Sequence, residues 1–227
     1  MASSKLYDSA AAAVADIHDS ATVLLGGVSG TNAPTALVSA LADRQVRGLT
    51  CVCDSTYYGA EVLHRLVAAG CVSRIISPAP FGSGQGDMVH ELWRSGDLAI
   101  EVVPWGTLAE RMRSAGAGIG GVFLPVGIGT RFAEGKEIRE VNGVECVFEP
   151  PLRGDFALIR ANRADSVGNL VYEGAQRGWN SAVVSAARIA IAEVDHVVEP
   201  GDIDPEQVIT PGIFVNRIAR ASSAPIG

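Results

Sequence analysis

The residues with the clearest chemical potential follow a short apolar run. Val23-Leu24-Leu25 leads into Gly26-Gly27-Val28-Ser29-Gly30-Thr31-Asn32-Ala33-Pro34. Glycines let the backbone turn with positive φ and let a ligand come close to the main chain. Asn32 or a neighbour can cap a following helix, and Pro34 suits its first turn. Backbone N–H groups at such a helix start, together with its dipole, favour an anion. A tight turn that binds nothing fits the same residues. The spacing from Gly27 to Gly30 is not G-x-G-x-x-G. No acid stands where a dinucleotide's ribose would need one, since Asp54 comes about 27 residues after Gly27.

Other reactive residue types are dispersed. Cys51, Cys53, Cys71 and Cys146 lack zinc-ligand spacing, and the four histidines stand apart at 18, 64, 90 and 196, so no metal site is expected. Cys51 and Cys53 share one face of a strand and read as small buried apolar residues of a reducing compartment. Glu61, Glu91, Glu101, Glu145 and Glu149 are scattered, and spacing selects no acid–base pair among them. Arg131, Lys136 and Arg139 form a candidate basic rim or a solvated surface. Glu110 and Arg111 are candidates for partner or substrate contact, or simply an exposed helix turn. Trp93 and Trp179 read as core or interface residues.

The elements that must position these residues alternate. Apolar strands at Thr22–Leu25, 49–53, 72–76 and 98–103 are separated by helices at 34–41, 60–69, 87–94 and 107–114, after an Ala-rich helix at 6–17. Gly121 to Leu124 reads as a fifth strand. Continuous apolar strands between helices imply a parallel sheet covered on both faces. Beyond Glu140 the strands come closer, at 144–148, 156–161, 169–172, 190–198 and 213–218, with Asn142-Gly143 and Gly168-Asn169 as turns. The expected fold is α/β: an open, mainly parallel sheet flanked by helices, with a more strand-rich second half. With no linker or repeat in its 227 residues, the chain reads as a single domain over 1–227.

The blocks along the chain resemble, in order, those of family I coenzyme A transferases. Asp19, Val23-Leu24-Leu25, Gly26-Gly27 and Pro34 match the first signature. Gly106-Thr107-Leu108-Ala109-Glu110-Arg111, Pro125-Val126-Gly127-Ile128-Gly129-Thr130, Glu134-Gly135-Lys136-Glu137, Asp155-Phe156-Ala157-Leu158-Ile159 and Thr210-Pro211-Gly212-Ile213-Phe214-Val215 continue it. The length resembles the alpha (A) subunit of bacterial 3-oxoacid enzymes. The resemblance implies the fold shared with sugar-phosphate isomerases and a heterodimer or heterotetramer with a beta subunit. It implies transfer of CoA from an acyl-CoA to a carboxylic acid through a glutamyl-CoA thioester. That glutamate belongs to a Ser-Glu-Asn-Gly motif of the beta subunit, which this chain lacks, so no catalytic nucleophile is expected here. The CoA thioester would be a substrate, with no permanently bound cofactor. The CoA-binding loop is carried onto Gly26, Gly27, Val28, Ser29, Gly30, Thr31 and Asn32, whose amides would meet phosphate or pantetheine oxygens.

Three departures bear on the substrate. The family favours Phe where Val28 stands and Gly where Asn32 stands. Before the Gly-Thr-Leu-Ala-Glu-Arg block it has Pro-Gln-Gly, whereas this chain has Pro104-Trp105-Gly106, which places Trp105 and Gly106 at the substrate cleft. Ala175-Gln176-Arg177-Gly178-Trp179-Asn180 also departs from the family pattern. Trp offers one donor and no amide carbonyl, but supplies an aromatic wall. The expected function is transfer from an acyl-CoA such as succinyl-CoA to a small 3-oxo acid or dicarboxylate, in aromatic catabolism. An acyl-CoA hydrolase or C–C-cleaving hydrolase on the same fold is the alternative. A net charge of −7 opposes nucleic-acid binding, the uncharged run 114–130 is too glycine-rich for a membrane helix, and no secretory leader is read, so a cytoplasmic enzyme is expected.

Overall fold

In a computed structural model, residues 4–28, 32–56, 61–81 and 87–221 are described. Seven parallel strands form the main sheet. They are β1 (Thr22–Leu25), β2 (Leu49–Val52), β3 (Val72–Ser77), β4 (Ala99–Val102), β8 (Gly154–Asp165), β10 (Ala187–Val198) and β11 (Arg217–Arg220). Their order across the sheet is β11-β10-β8-β1-β2-β3-β4. The short β9 (Leu170–Val171) adds antiparallel to β8. Alternate residues of β1 serve opposite cores. Val23 and Leu25 pack with Leu37 and Leu41 of α2 (Thr35–Asp43) and Leu66 of α3 (Glu61–Ala68). Leu24 packs in the opposite core, which includes Leu108 and Met112 of α5 (Trp105–Gly116) and Trp179 of α6 (Arg177–Val183). Burial on both faces explains why the strands are apolar runs rather than alternating ones.

The chain leaves β1 toward β2 on one side and returns as β8 on the other, so strand order reverses at β1/β8. Beyond its pairing with β1, which ends at Leu158, β8 continues alongside β10 to Asp165. In open α/β sheets the crevice outside the strand carboxyl ends, at such a reversal, is where ligands bind.

Local signals account for many boundaries. Asp87 caps α4 (Met88–Ser95) by accepting from the Val89 amide at 3.0 Å, and Gly96 ends it at φ 88°. The expected helix over 6–17 is confined to α1 (Ala10–Ala13). Tertiary pairing overrides its Ala-rich propensity, because Leu6 bridges Ile218 and the Tyr7 amide donates to the Ile218 carbonyl. The expected fifth strand, β5 (Val122–Leu124), lies outside the parallel sheet. It pairs antiparallel with β7 (Val144–Glu149), which also pairs with β6 (Ile138–Val141). Asn142 and Gly143, at φ 52° and 79°, make the tight β6–β7 turn. The strand expected from Ile213 starts at Arg217, because the Gly212 amide donates to Asn169 Oδ1 and 212–214 turns as a 3₁₀ segment.

Candidate functional site

The glycine loop leaves β1 at the strand-order reversal. Gly26 still follows the ladder, donating to the Leu158 carbonyl at 2.8 Å. A Cβ on Gly26 would lie 2.0 Å from Asn180 Oδ1, so the close approach requires glycine there. Gly27 has φ 100°, and a Cβ would press on Ala33 at 3.0 Å. Asn32 is left-handed, at φ 58°. Ser29, Gly30 and Thr31 lie outside the described residues.

Helix α6 holds this loop in place. Gly178, Asn180 and Ser181 favour a helix poorly, and burial of Trp179, Asn180 and Val183 stabilises it instead. Trp179 Nε1 donates to the Leu25 carbonyl at 3.0 Å. Asn180 Oδ1 accepts from the Arg160 amide at 3.1 Å, at a position of β8 beyond the pairing with β1. Its Nδ2 donates to the carbonyls of Gln176 and Asn32 at 3.0 and 3.4 Å. Val28 lies against Gly178, where a Cβ would meet Val28 Cγ2 at 3.3 Å. One buried amide thus bridges β8, α6 and the far end of the loop.

Trp105 opens α5 and is 46% exposed. Its ring stands edge-on to Trp179, with centroids 5.9 Å apart at 73°. Gly106 is exposed, and a Cβ there would meet nothing within 4 Å. Trp179 thus holds the Leu25 carbonyl just before Gly26 and stands edge-on to Trp105, while a Cβ on Gly106 would meet open space.

Sequence reasoning placed the start of α2 within a residue but missed what caps it. Asn32 does not cap α2, whose N-cap is Pro34 and which has no side-chain cap from its own segment. Fully buried Glu193, reaching over from β10, accepts from the Ala36 and Leu37 amides at 2.8 and 3.1 Å. Thr35 Oγ1 lies 3.5 Å from its other oxygen, and Arg160 pairs with that oxygen at 2.9 Å. Arg160 also bonds Asp195 at 2.5 Å, and Gln176 reaches Asp195 at 3.4 Å. Burial pushes the Glu193 carboxyl above the usual range, and the Asp195 charge adds to this. The Leu37 amide, the Arg160 charge and the Ala36 amide oppose it. The only sequence signal was a lone acid inside the apolar run Ala190-Ile191-Ala192-Glu193-Val194.

The candidate basic rim lies elsewhere and is partly committed. Lys136 pairs with buried Glu149 at 2.6 Å, and Arg139 with Glu137 at 2.6 Å. Arg131 lines a cavity of about 470 Å³ with Phe81, Trp93 and Phe132, beside β4. Glu110 pairs with Arg113, and Arg111 with Glu101. The four cysteines are buried and free, and burial raises the Cys53 thiol to about 12. Among the described residues no cluster of three or more His, Cys, Asp or Glu could hold a metal ion.

The family model for coenzyme A transferase matches residues 7–221. The chain is 44% identical to the alpha (A) subunit of 3-oxoadipate CoA-transferase of Pseudomonas putida, covering 97% of this chain and 95% of that one. It is 41% identical to the corresponding (A) subunit of succinyl-CoA:3-ketoacid coenzyme A transferase of Xanthomonas campestris pv. campestris, covering 96% and 89%. Among solved structures it is similar to an acyl-CoA transferase (YdiF) of E. coli O157:H7 in a thioester complex with CoA, with TM-score 0.79 and 21% identity. That match takes in 99% of this chain and only half the length of the other. The family model over residues 7–221, and likeness to alpha (A) subunits along almost the whole chain, place the chain in the coenzyme A transferase family, as one of its alpha-type subunits.

Proposed function

We propose that this chain forms, with a beta subunit, an enzyme that moves CoA from succinyl-CoA to a small 3-oxo acid or dicarboxylate. The observation that carries this is the alpha-type likeness along 97% of the chain, to a protein named for 3-oxoadipate. The half-length match to the YdiF chain supports a second, partner half. The partner supplies the glutamate. Its carboxylate attacks the thioester carbonyl and expels CoA as thiolate, leaving a mixed anhydride. The thiolate then attacks the glutamyl carbonyl, freeing the first acid and leaving a glutamyl-CoA thioester for the acceptor carboxylate. This chain contributes the loop at Gly26, Gly27 and Val28, with Ser29, Gly30, Thr31 and Asn32. Trp105 and Gly106 bound the acyl pocket. CoA enters as substrate, and no resident cofactor takes part. Two alpha and two beta subunits assemble in the cytoplasm, where the four buried thiols stay reduced, and the enzyme serves aromatic catabolism. Transfer is the reading kept over hydrolysis, since the Pseudomonas and Xanthomonas relatives are both named as transferases.

The test is co-expression with the product of the adjacent gene, incubation with succinyl-CoA, and mass spectrometry of the partner. A CoA-mass adduct on a partner glutamate is expected. Release of succinate and CoA with no adduct overturns transfer in favour of hydrolysis.

A further inference from the structure

We infer that a cavity at the amino end of the main sheet binds a small phosphorylated anion, apart from the CoA thioester. Its floor is the face of the sheet on which Thr22, Thr50 and Arg74 stand in one register row across β1, β2 and β3. Arg111 of α5 and Arg153, just before β8, complete its walls around a volume of about 340 Å³. These parts are held together locally. The Leu152 amide donates to the Arg111 carbonyl at 2.9 Å, and Arg111 Nε donates to the Pro150 carbonyl at 3.0 Å. A Cβ on Gly154 would lie 2.6 Å from Leu24 Cγ, so glycine there lets the segment carrying Arg153 come close to β1. The Arg111 side chain is only 14% exposed, so little freedom is lost when its guanidinium meets a ligand.

The charge at this cavity runs against that of the chain. The chain carries −7, yet three guanidiniums and a single carboxylate, Glu101, border the cavity. Glu101 is shared, with one oxygen 2.5 Å from Arg74 and the other 3.3 Å from Arg111. Two positive charges remain in excess. One remains even when Asp155, which accepts from the Thr22 amide at 2.9 Å, is counted. Each arginine spends only part of its fork. Among the described residues, Arg74 Nε and Nη1, Arg111 Nη2, and Arg153 Nε and Nη1 donate to nothing. The Thr22 and Thr50 hydroxyls also have no partner among them.

These donors approach from the floor and from two walls, which selects the shape of the anion. A carboxylate presents two oxygens in one plane, and one guanidinium fork satisfies it. A phosphoryl group presents three oxygens in different directions and carries about −1.5 to −2 at pH 7. That charge matches the excess around the cavity. The volume exceeds a phosphoryl group alone, and Ile76, Pro151 and Leu152 offer an apolar side to the organic part of a small monoester. The shared chemistry is the phosphoryl dianion, free or esterified.

The test uses the complex purified after co-expression with the product of the adjacent gene, in phosphate-free buffer of low ionic strength. Calorimetry gives Kd values for inorganic phosphate, glycerol 3-phosphate, succinate and CoA. The parent should bind both phosphate probes. Arg74→Gln and Arg153→Gln should each weaken them about tenfold, and Thr50→Val several-fold, with the CoA Kd unchanged. Arg65→Gln removes a similarly exposed arginine that pairs with Asp43 and does not line the cavity, and should change nothing. Tighter binding of glycerol 3-phosphate identifies an ester as the ligand, and tighter binding of phosphate the free ion; both support the inference. No phosphate binding by the parent overturns it, as do equal losses in Arg65→Gln and Arg74→Gln. Succinate affinity that falls with phosphate affinity in Arg74→Gln overturns the choice of a phosphoryl group. A parallel fall in CoA affinity overturns the separation from the thioester. If Arg153→Gln does not assemble, Arg74→Gln and Thr50→Val still decide, because both change partly exposed side chains.

Discussion

The two ends of strand β1 make opposite use of charge. At the amino end, Thr22, Thr50 and Arg74 stand in one register row across three strands. With Glu101, Arg111 and Arg153 they border an open cavity of about 340 Å³. Its guanidiniums are spent locally: Arg74 and Arg111 on Glu101 at 2.5 and 3.3 Å, and Arg153 on the Ala115 carbonyl. At the carboxyl end, the polar groups are drawn inward, and Glu193, Asn180 and Trp179 use their hydrogen bonds to hold backbone in place. Three arginines border the cavity at the amino end of β1, whereas beyond its carboxyl end Arg160 is committed to Glu193 and Asp195. Surface charge is therefore a poor guide to the site in this fold. Which side chains hold the backbone groups at the reversal is a better one.

The largest effect expected from that contrast is on stability. Glu193→Ala leaves Arg160 without a buried partner and two helix amides unsatisfied, and should cost the complex about 3–5 kcal/mol. Glu101→Ala breaks a pair with half-exposed Arg74, and should cost about 0–1 kcal/mol. Urea midpoints of the two variant complexes decide it, and equal losses would erase the distinction between the two ends. Next in size is ligand affinity. Gly27→Val forces a branched side chain onto a backbone at φ 100° and into Ala33. It should weaken CoA binding at least about tenfold, or about 1.4 kcal/mol, provided the complex assembles. Arg74→Ala should leave CoA affinity unchanged, and a comparable loss in that variant would move the site to the amino end.

A smaller effect is expected at Trp105. Its ring is held edge-on against Trp179, so Trp105→Gln replaces an aromatic wall with a hydrogen-bonding amide. Relative kcat/KM for acyl donors of different length and charge should shift several-fold, while the CoA Kd stays within about twofold. An unchanged acyl profile would remove Trp105 from the pocket.

Local rules made the first half of the fold readable. β1 runs from Thr22 to Leu25 as its apolar run and following glycines dictate, and Gly70 and Gly96 stop their helices in left-handed conformations. What escaped sequence reading depends on distant partners. α6 is a helix because Trp179 and Asn180 are buried under the loop, not because its residues favour one. β6 is exposed along its length and shows no apolar run. In the candidate loop, the backbone roles of Gly26 and Gly27 were legible because a close approach or a positive φ calls for glycine locally. Glu193 was not, because it caps a helix that begins more than 150 residues earlier, and no local motif records such a pairing.

That carboxylate also gives the contrast a pH signature, the smallest effect expected. Burial raises its folded-state pKa above the ordinary 4.5, against the pull of Arg160 and the two helix amides and with some help from Asp195. The native state therefore holds this proton more tightly than the unfolded chain does. Its contribution to stability is fully present below pH 4.5 and is lost as pH rises through the raised value. Glu193→Gln keeps an acceptor for the Ala36 and Leu37 amides but cannot titrate. The stability difference between parent and variant complexes should shift toward the variant as pH climbs above 4.5, then level off. A flat difference for Glu193→Gln would mean that Arg160 and the helix amides fully offset burial, and the carboxyl end would lose its claim to a costly internal charge.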